Sequence, residues 1–368
     1  MKIRKIEAIG INIPMVKPLK MSFEEVRAAN NVLVRLETAD GVVGWGEAAS
    51  APTMTGETLQ GMAAAVRHLA PRIEGADCDD IAAVMERADL YLYGNEGAKS
   101  AIEMALHDAL GKTVGKPACE LLGGKRRERV PLLRLIGTGK GTAADVEEAL
   151  RVKAEGYVAF KVKVGVGDPL DDAARTREVC KALGNGKHLV CSDANQGFTV
   201  EQAIAYVRAL GDTPLAFFEQ PVPAGDLEGI GRVAKATSIP IAADEGLHSM
   251  DDLKHHHDAG VAGGSLKTIK LGGMNAVIEA GRLCERLGMK VNLACKMAET
   301  GIASSAMTHI AAAIPTLDWG VSLTSPYLTD DLIKRPLNLS GGHVALTAGP
   351  GIGVEVDEAK VRRYSREV

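Results

Sequence analysis

The sequence predicts an α/β protein whose core is a (β/α)7β barrel, a modified TIM barrel, preceded by an α+β domain. From about residue 126, short apolar segments alternate with amphipathic segments of about ten to fifteen residues, which is the pattern of βαβ units. Eight strand candidates occur in this region, the number that closes a parallel barrel. The 368 residues of the chain are enough for a barrel and a smaller domain.

Residues 1–125 are expected to form the smaller domain. Apolar residues alternate along residues 3–13 and 30–48, with Ala-Asp-Gly as a turn, and this alternation predicts antiparallel strands. Helical periodicity follows in residues 58–73 and 98–115. Strands followed by helices indicate an α+β domain.

The barrel is expected in residues 126–324, and residues 325–368 form a tail with polar turns and a glycine-rich end. Several of the intervening amphipathic helices end in glycine, a common helix stop. The eight strand candidates are residues 130–137, 158–164, 188–194, 215–220, 239–244, 264–269, 290–296 and 317–323.

Three acidic residues end consecutive strand candidates. Asp193, Glu219 and Asp244 are separated by 26 and 25 residues, about one strand plus one helix. Successive strands of a parallel barrel lie side by side, so the three carboxylates should converge at one edge. Three oxygen ligands at one point suit a hard divalent cation, Mg²⁺ in the first place and Mn²⁺ as the alternative.

Lysines occupy the strands on either side of these acids. Lys161 and Lys163 alternate with apolar residues on the preceding strand, so both amines should face the barrel interior. Lys267 lies near the end of the strand that follows Asp244. The amines should therefore flank the acids from opposite sides. Like charges at Lys161 and Lys163, and a nearby divalent cation, would lower the pKa of a lysine base.

The ordered motifs Lys-x-Lys, Asp-Ala-Asn, Glu-Gln-Pro and Asp-Glu, then a lysine five residues before Gly-Gly, resemble the muconate-lactonizing (muconate cycloisomerase-like) subgroup of the enolase superfamily. The resemblance extends over nearly the whole chain. It implies that residues 1–125 cap the barrel and that the tail returns to this capping domain. It also implies a homo-oligomer.

The resemblance assigns roles to the lysines. Lys163 would be the general base on one face of the substrate, Lys267 would serve the other face, and Lys161 would contact the substrate carboxylate and tune its neighbour. Asn195 and Glu245 adjoin the metal positions and are expected to support the ligands. Lys270 is expected to have a structural role.

These acids and lysines together suit one reaction, the removal of a proton from the carbon next to a carboxylate. The product is a doubly negative enediolate, which a divalent cation stabilises as the charge develops; a lysine base working with Mg²⁺ in this superfamily is a known pairing. Two opposed amines permit racemisation or epimerisation, whereas one amine gives cycloisomerisation or elimination. The leading hypothesis is an Mg²⁺-dependent isomerase. The alternatives are a lyase that dehydrates a hydroxylated amino acid or hydroxy acid, and a non-catalytic carboxylate-binding barrel.

The substrate contacts are less constrained. In the subgroup, the loop after the first strand and the end of the eighth barrel strand shape the pocket, which here points to Lys20, Ser22 and Ser322. Subgroup dipeptide epimerases carry Asp-x-Asp where this chain has Ser322 and Thr324, and muconate cycloisomerases carry Glu where it has Ser322. Further candidates are Lys296, Glu299 and Trp319. The alternative for Trp319 is a packing role on the floor of the barrel.

Composition excludes other classes of partner. The formal net charge is −4 and the isoelectric point about 6.2, which gives no reason to expect nucleic acid or an anionic membrane as a partner. Six scattered cysteines without a Cys-x-x-Cys pair favour a reducing cytoplasm. A small-molecule carboxylate is the expected partner. The run His255–His257 is expected on a solvated helix surface, because adjacent helical residues point about 100° apart.

Overall fold

The computed structural model describes residues 1–20, 25–137 and 139–368, and its N-terminal domain is an antiparallel sheet covered by helices. The long strands β1 and β2 pair antiparallel, and β2 pairs with β3. Apolar residues on one face of the sheet pack against the helices, and residues of the other face, such as Leu33 and Trp45, are buried as well. The elements are β1 (Ile3–Lys20), β2 (Glu25–Thr38), β3 (Val43–Ala49), α1 (Leu59–Ile73), α2 (Ile81–Tyr91), α3 (Glu96–Val114) and α4 (Ala118–Leu121).

Helix α3 lies unusually close to strand β3, and glycine permits this approach. A Cβ added at Gly44 would collide with the carbonyl oxygen of Ala105, and one added at Gly46 would collide with that of Ala101. Both obstacles belong to the helix backbone, so the clash cannot be relieved by a side-chain rotation. The glycines of the Gly-Trp-Gly-Glu-Ala motif therefore set the spacing between sheet and helix.

Replacing Gly46 with alanine is expected to destabilise the protein by about 1–3 kcal/mol, because the helix must move away from the sheet. Urea denaturation would measure the change in the free energy of unfolding. The control is Gly61→Ala, at an exposed position of helix α1. Gly41 is unsuitable as a control because it has a positive φ. Equal stability of Gly46→Ala and wild type would contradict the close packing.

The barrel is a parallel sheet of eight strands in chain order. A bridge between Leu132 and Val321 brings the first and last strands together and closes it. A short outer strand, β4 (Arg129–Pro131), precedes it. The barrel strands are β5 (Leu133–Ile136), β6 (Ala159–Lys163), β7 (Leu189–Asp193), β8 (Phe217–Glu219), β9 (Ile241–Ala243), β10 (Gly263–Leu266), β11 (Lys290–Ala294) and β12 (Val321–Ser322).

Helices follow the first seven barrel strands and cover the outside of the barrel, as expected for (β/α)7β. The fold class predicted from the sequence is confirmed. The helices are α5 (Thr142–Ala154), α6 (Pro169–Leu183), α7 (Val200–Leu210), α8 (Leu227–Lys235), α9 (Met250–Asp258), α10 (Thr268–Leu271), α11 (Met274–Leu287) and α12 (Gly301–Ala313).

One expectation for α9 is wrong. His255 is exposed, but His256 is buried, with its Nδ1 2.8 Å from the carbonyl oxygen of Asp252. The face of α9 that carries His256 packs against the turn after β9. The contact is close, because a Cβ added at Gly246 in that turn would lie 2.8 Å from Nε2 of His256. Of these two histidines, only one points to solvent.

The floor of the barrel is apolar. The indole of Trp319 stacks on the ring of Phe217 with 4.1 Å between ring centroids, and both side chains are buried. They form a small cluster with Leu133, Ala159 and Cys191. Two buried polar side chains of the barrel strands lie beside this cluster: Ser265 donates to Oδ1 of Asn292 at 3.0 Å, and Asn292 donates to the carbonyl oxygen of Trp319 at 3.3 Å.

The last residues join the barrel to the N-terminal domain. Strand β13 (His343–Ala345) pairs antiparallel with β4. After α13 (Glu358–Tyr364), strand β14 (Ser365–Arg366) adds to the edge of the N-terminal sheet, where Gly10 and Arg366 are partners. The end of the chain therefore reaches back to the N-terminal sheet.

Candidate active site

Three carboxylates meet at the carboxyl ends of strands β7, β8 and β9. Asp193 and Glu219 are the last residues of β7 and β8 and are paired in register, and Asp244 directly follows β9. All three residues are at most 2% exposed. Their nearly equal spacing in the sequence places them at the ends of neighbouring strands, because each βα unit has nearly the same length.

Lysine amines surround these acids. The Nζ of Lys161 lies 2.5 Å from Oε2 of Glu219, and the Nζ of Lys163 lies 2.6 Å from Oδ2 of Asp193. Lys267, directly after β10, donates a hydrogen bond to Oδ2 of Asp244. The amines thus reach the acids from β6 on one side and from β10 on the other.

Electrostatics holds most of this cluster in its charged form. Burial alone would raise the pKa of Asp193, but the ammonium groups of Lys163 and Lys161 outweigh it and lower the pKa. The pKa of Asp244 is lowered in the same way, against burial, by Lys267 and Lys270. Burial is the larger effect at Glu219 and raises the pKa of that carboxyl.

The pKa of Lys161, the amine expected to tune its neighbour, is set by its carboxylate partners. Burial opposes the charge, but Glu219 and Asp193 outweigh burial and raise the pKa of Lys161 above its usual value. The same balance, with Asp244 as the main partner, raises the pKa of Lys267. Carboxylate partners therefore decide the direction of both pKa shifts.

Lys270 has a larger part in the cluster than the sequence indicated. It is fully buried, and its Nζ donates to Oδ1 of Asp244 at 2.7 Å and to the carbonyl oxygen of Ser265 at 3.0 Å. Burial lowers the pKa of Lys270. Asp244 therefore holds two amines, one on each carboxylate oxygen.

Asn195 and Gln220 fix the turns that follow β7 and β8. Asn195 accepts a hydrogen bond from Nζ of Lys163 at 2.6 Å and donates one to Oε1 of Glu245 at 3.1 Å. Oε1 of Gln220 accepts from the backbone N–H of Asp244 at 2.8 Å. Both residues have positive φ, 42° and 33°, a strained conformation that these side-chain bonds stabilise.

Glu245 is a fourth carboxyl at this edge. Its Oε2 is buried and has no hydrogen-bond partner in the part of the chain that the structure describes. Burial, followed by the charge of Asp244, raises the pKa of Glu245 to about 7. Glu245 therefore offers an unused oxygen toward the same cleft.

The cleft above the acids encloses about 690 Å³ of space, its open mouth included. Among the substrate-binding candidates, Lys296 and Ser322 line it, and the buried hydroxyl of Ser322 has no partner among residues 1–20, 25–137 and 139–368. Thr53 and Met54 of the N-terminal domain complete the lining on one side. Sequence reasoning missed these two, because nothing in the local pattern marks them.

The other candidates lie elsewhere. Lys20 ends β1 with an exposed side chain and is not among the lining residues. Ser22 falls outside the described residues. Trp319 stacks on Phe217 on the floor of the barrel and does not line the cleft, which supports the alternative of a packing role.

Glu299 is buried behind the lining, where its Oε2 accepts the backbone N–H of Lys296 at 3.0 Å. Burial, and then the charge of Glu47, raise the pKa of Glu299 to about 8. The folded protein therefore binds this proton more tightly than the unfolded chain does. Its contribution to stability falls as the pH rises from the unfolded value, near 4.5, to about 8.

Glu299→Gln is expected to remove this pH dependence. One pKa unit corresponds to about 1.4 kcal/mol, so between about pH 5 and pH 8 wild type should lose on the order of 2–4 kcal/mol more than the variant. Urea denaturation at several pH values would measure both curves. Parallel curves for wild type and variant would contradict an elevated pKa at Glu299.

The carboxyl groups of this site provide the kind of ligand that a divalent cation needs. Carboxylate oxygens are the ligands that Mg²⁺ prefers, and four carboxyls with one orphaned oxygen meet that requirement. Within the described residues, however, no three acidic, histidine or cysteine groups stand close enough to share one ion as they are. Lysine amines are bound to the acids instead. The residue types therefore fit a divalent cation, whereas the side-chain conformations in this structure pair the acids with lysines.

Two family models match the chain along most of its length. The N-terminal domain model of mandelate racemase / muconate lactonizing enzyme matches residues 5–123, and the enolase C-terminal domain-like model matches residues 144–360. This chain belongs to the mandelate racemase/muconate lactonizing enzyme family of the enolase superfamily. The resemblance that the motifs indicated is confirmed.

Similar members of the family are isomerases. The chain is 32% identical over 372 residues to the chloromuconate cycloisomerase of Cupriavidus necator, with both chains fully covered. It is 31% identical over 364 residues to the L-Ala-D/L-Glu epimerase of Bacillus subtilis (strain 168), covering 96% of this chain and 97% of the epimerase. The crystal structure of muconate lactonizing enzyme from Pseudomonas fluorescens, complexed with muconolactone, matches with a TM-score of 0.94 at 31% identity, covering 99% of each chain.

Membership of the mandelate racemase/muconate lactonizing enzyme family makes this chain an enzyme of an isomerase family. The relatives include both a cycloisomerase and an epimerase, so the family alone leaves the type of isomerisation open. In the described part of the chain, no helix is long and apolar enough to cross a membrane.

Proposed function

We propose that this protein is an Mg²⁺-dependent isomerase that removes the α-proton of a small carboxylate substrate. The observation that carries the proposal is the placement of amines on two sides of one acidic cluster, Lys163 from β6 and Lys267 after β10. A substrate lying between them would present one face to each amine. Proton transfer by a positioned base supplies a rate factor of about 10²–10⁴.

Asp193, Glu219 and Asp244 would hold the cation, with Mn²⁺ as an alternative to Mg²⁺, and Glu245 and Asn195 would support them. When bound, the cation stabilises the negative charge that develops on the substrate carboxylate. The three acids repel one another in the buried site, and only positive charge compensates this repulsion. In the observed structure that charge comes from lysines.

A lysine acts as a base only when it is neutral. Lys267, one of the two proposed bases, is held as an ammonium ion by Asp244. When Asp244 turns away from Lys267, the amine loses the partner that raises its pKa, and burial then favours the neutral amine. Release of this ion pair is therefore the step that prepares Lys267 as a base.

The two-sided arrangement permits racemisation or epimerisation, and use of one amine alone gives cycloisomerisation. The first alternative is a lyase that expels a β-hydroxyl from the same intermediate. The second alternative is a non-catalytic barrel that binds carboxylates. The cleft also disfavours substrates that carry an ammonium group. Ser322 occupies the position at which the dipeptide epimerases of the subgroup have a carboxylate. We propose a cytoplasmic location on the cysteine pattern and a homo-oligomeric state on the family resemblance.

Screening in D₂O with Mg²⁺ tests the proposal. The panel would contain muconates, N-substituted amino acids, prolines and their betaines, and hydroxyprolines, followed by NMR and mass spectrometry. Deuterium at the α-carbon, with or without inversion, is the expected result, and a lactone would identify a cycloisomerase. A product lighter by one water would favour the lyase, and tight binding without exchange would favour the inert barrel.

A further inference from the structure

The segment Cys295–Glu299, which follows β11, carries one wall of the cleft on a strained turn. Cys295, Lys296 and Met297 line the cleft. Ala298, the next residue, is buried and has a φ of 71°. A non-glycine residue in the left-handed region costs roughly 1–2 kcal/mol, so surrounding contacts must hold the turn.

One of those contacts comes from the N-terminal domain. The side chain of Asn31, on β2, is 1% exposed and donates both of its amide hydrogens. One goes to the carbonyl oxygen of Ala298 at 2.8 Å and the other to Oε1 of Glu47 at 2.6 Å. Asn31 therefore joins the strained residue directly to a buried carboxylate of the N-terminal sheet.

Glu47, on β3, holds the start of the helix that follows the turn. Its Oε1 accepts the backbone N–H of Thr300 at 2.9 Å, and its Oε2 accepts the Thr300 hydroxyl at 2.7 Å and the backbone N–H of Ala303 at 3.0 Å. These N–H groups at the start of α12 lack partners within the helix. A carboxylate from another domain thus caps the helix that begins directly after the turn.

The barrel itself holds the turn from the other side. The hydroxyl of Thr324, beyond β12, donates to the carbonyl oxygen of Lys296 at 2.7 Å and accepts the backbone N–H of Glu299 at 3.1 Å. The turn is thus fixed between the N-terminal domain and the last barrel strand. None of these bonds involves the acids or lysines assigned to proton transfer.

We infer that Asn31 and Glu47 are positioning residues, which hold the Cys295–Glu299 turn so that Lys296 faces the substrate. They would couple the N-terminal sheet to substrate binding while leaving proton transfer to Lys163 and Lys267. The same strand β3 leads on to Thr53 and Met54, which also line the cleft. The inference rests on the proposed function where it concerns the substrate.

A first test needs no substrate. All six cysteines are free and buried, and Cys295 belongs to the turn. In Asn31→Ala, alkylation of Cys295 by a thiol reagent, mapped by mass spectrometry, is expected to become about tenfold faster through local opening, with the other five unchanged. The control is Asn30→Ala on the same strand, where Asn30 is exposed and bonds Asn12 within the sheet.

Unchanged labelling of Cys295 in Asn31→Ala would overturn the inference. Faster labelling of all six cysteines would also overturn it, because that result would show a general loss of stability. Glu47→Gln, which keeps the size of the side chain but replaces one accepting oxygen with an NH2 donor, is the second variant and should labilise Cys295 selectively as well.

A second test uses turnover. Asn31→Ala is expected to raise KM about tenfold, equal to about 1.4 kcal/mol, and to change kcat much less. If Asn31 acts through Lys296, the double variant with Lys296→Met should be no worse than Lys296→Met alone. Additive effects would overturn the inference. Failure of the proposed function would appear as an inactive wild type and would leave the labelling result standing.

Discussion

Replacing Lys163 or Lys267 with methionine is expected to lower the rate of α-proton exchange by about 10²- to 10⁴-fold for the substrate face that the lost amine serves. Methionine keeps most of the buried aliphatic volume and removes the base. The fold should survive both changes, because each carboxylate retains a second amine. Lys161 lies 3.7 Å from Asp193, and Lys270 remains bound to Asp244.

The comparison of the two lysine variants also separates the types of reaction. If both faces are used, each variant loses inversion but keeps exchange with one stereoisomer. If one face is used, a single variant loses turnover. NMR of each stereoisomer in D₂O would distinguish these outcomes, with exposed Lys181→Met on α6 as the control. Full turnover in both lysine variants would contradict assignment of the bases.

Replacing Asp244 with asparagine is expected to weaken Mg²⁺ binding by at least about 10- to 100-fold, the loss found when residues that merely support a metal are changed. A cation that binds only the folded state adds about 2.7 kcal/mol of stability at 100 times its dissociation constant. Wild type should therefore be stabilised by Mg²⁺ in urea denaturation, and the variant should be stabilised much less at the same concentration.

The matched control for this prediction is Asp171→Asn, an exposed aspartate on α6. It should keep the full stabilisation by Mg²⁺. Without the cation, Asp244→Asn leaves Lys267 and Lys270 facing each other around a neutral amide, so some loss of stability is expected in either case. Equal stabilisation of wild type and Asp244→Asn by Mg²⁺ would contradict the assignment of this residue as a ligand.

The sequence indicated the acidic cluster because its members repeat with the period of the βα unit. Asp193, Glu219 and Asp244 end successive strands, and strand geometry then brings them together whatever the helices between them contain. The inward direction of Lys161 and Lys163 followed from alternation along one strand. Local periodicity was sufficient for both predictions.

Other parts of the site depend on contacts that no local pattern records. The short helix α10 changes the direction of the chain after β10, so strand alternation does not describe Lys270. Asn31 and Glu47 act on a turn more than 240 residues later in the chain. Trp319 lies two residues before the short strand β12, and its position in the sequence does not show whether the indole packs on the floor of the barrel or lines the cleft.

The most direct test of metal-assisted proton abstraction is the rate of α-deuterium incorporation into a bound carboxylate, measured by NMR in D₂O with Mg²⁺ and again after removal of metal with EDTA. The proposed function predicts rapid incorporation with Mg²⁺, its loss with EDTA and its return when Mg²⁺ is added back. A carboxylate that binds in the cleft but keeps its α-proton in the presence of Mg²⁺ would contradict it.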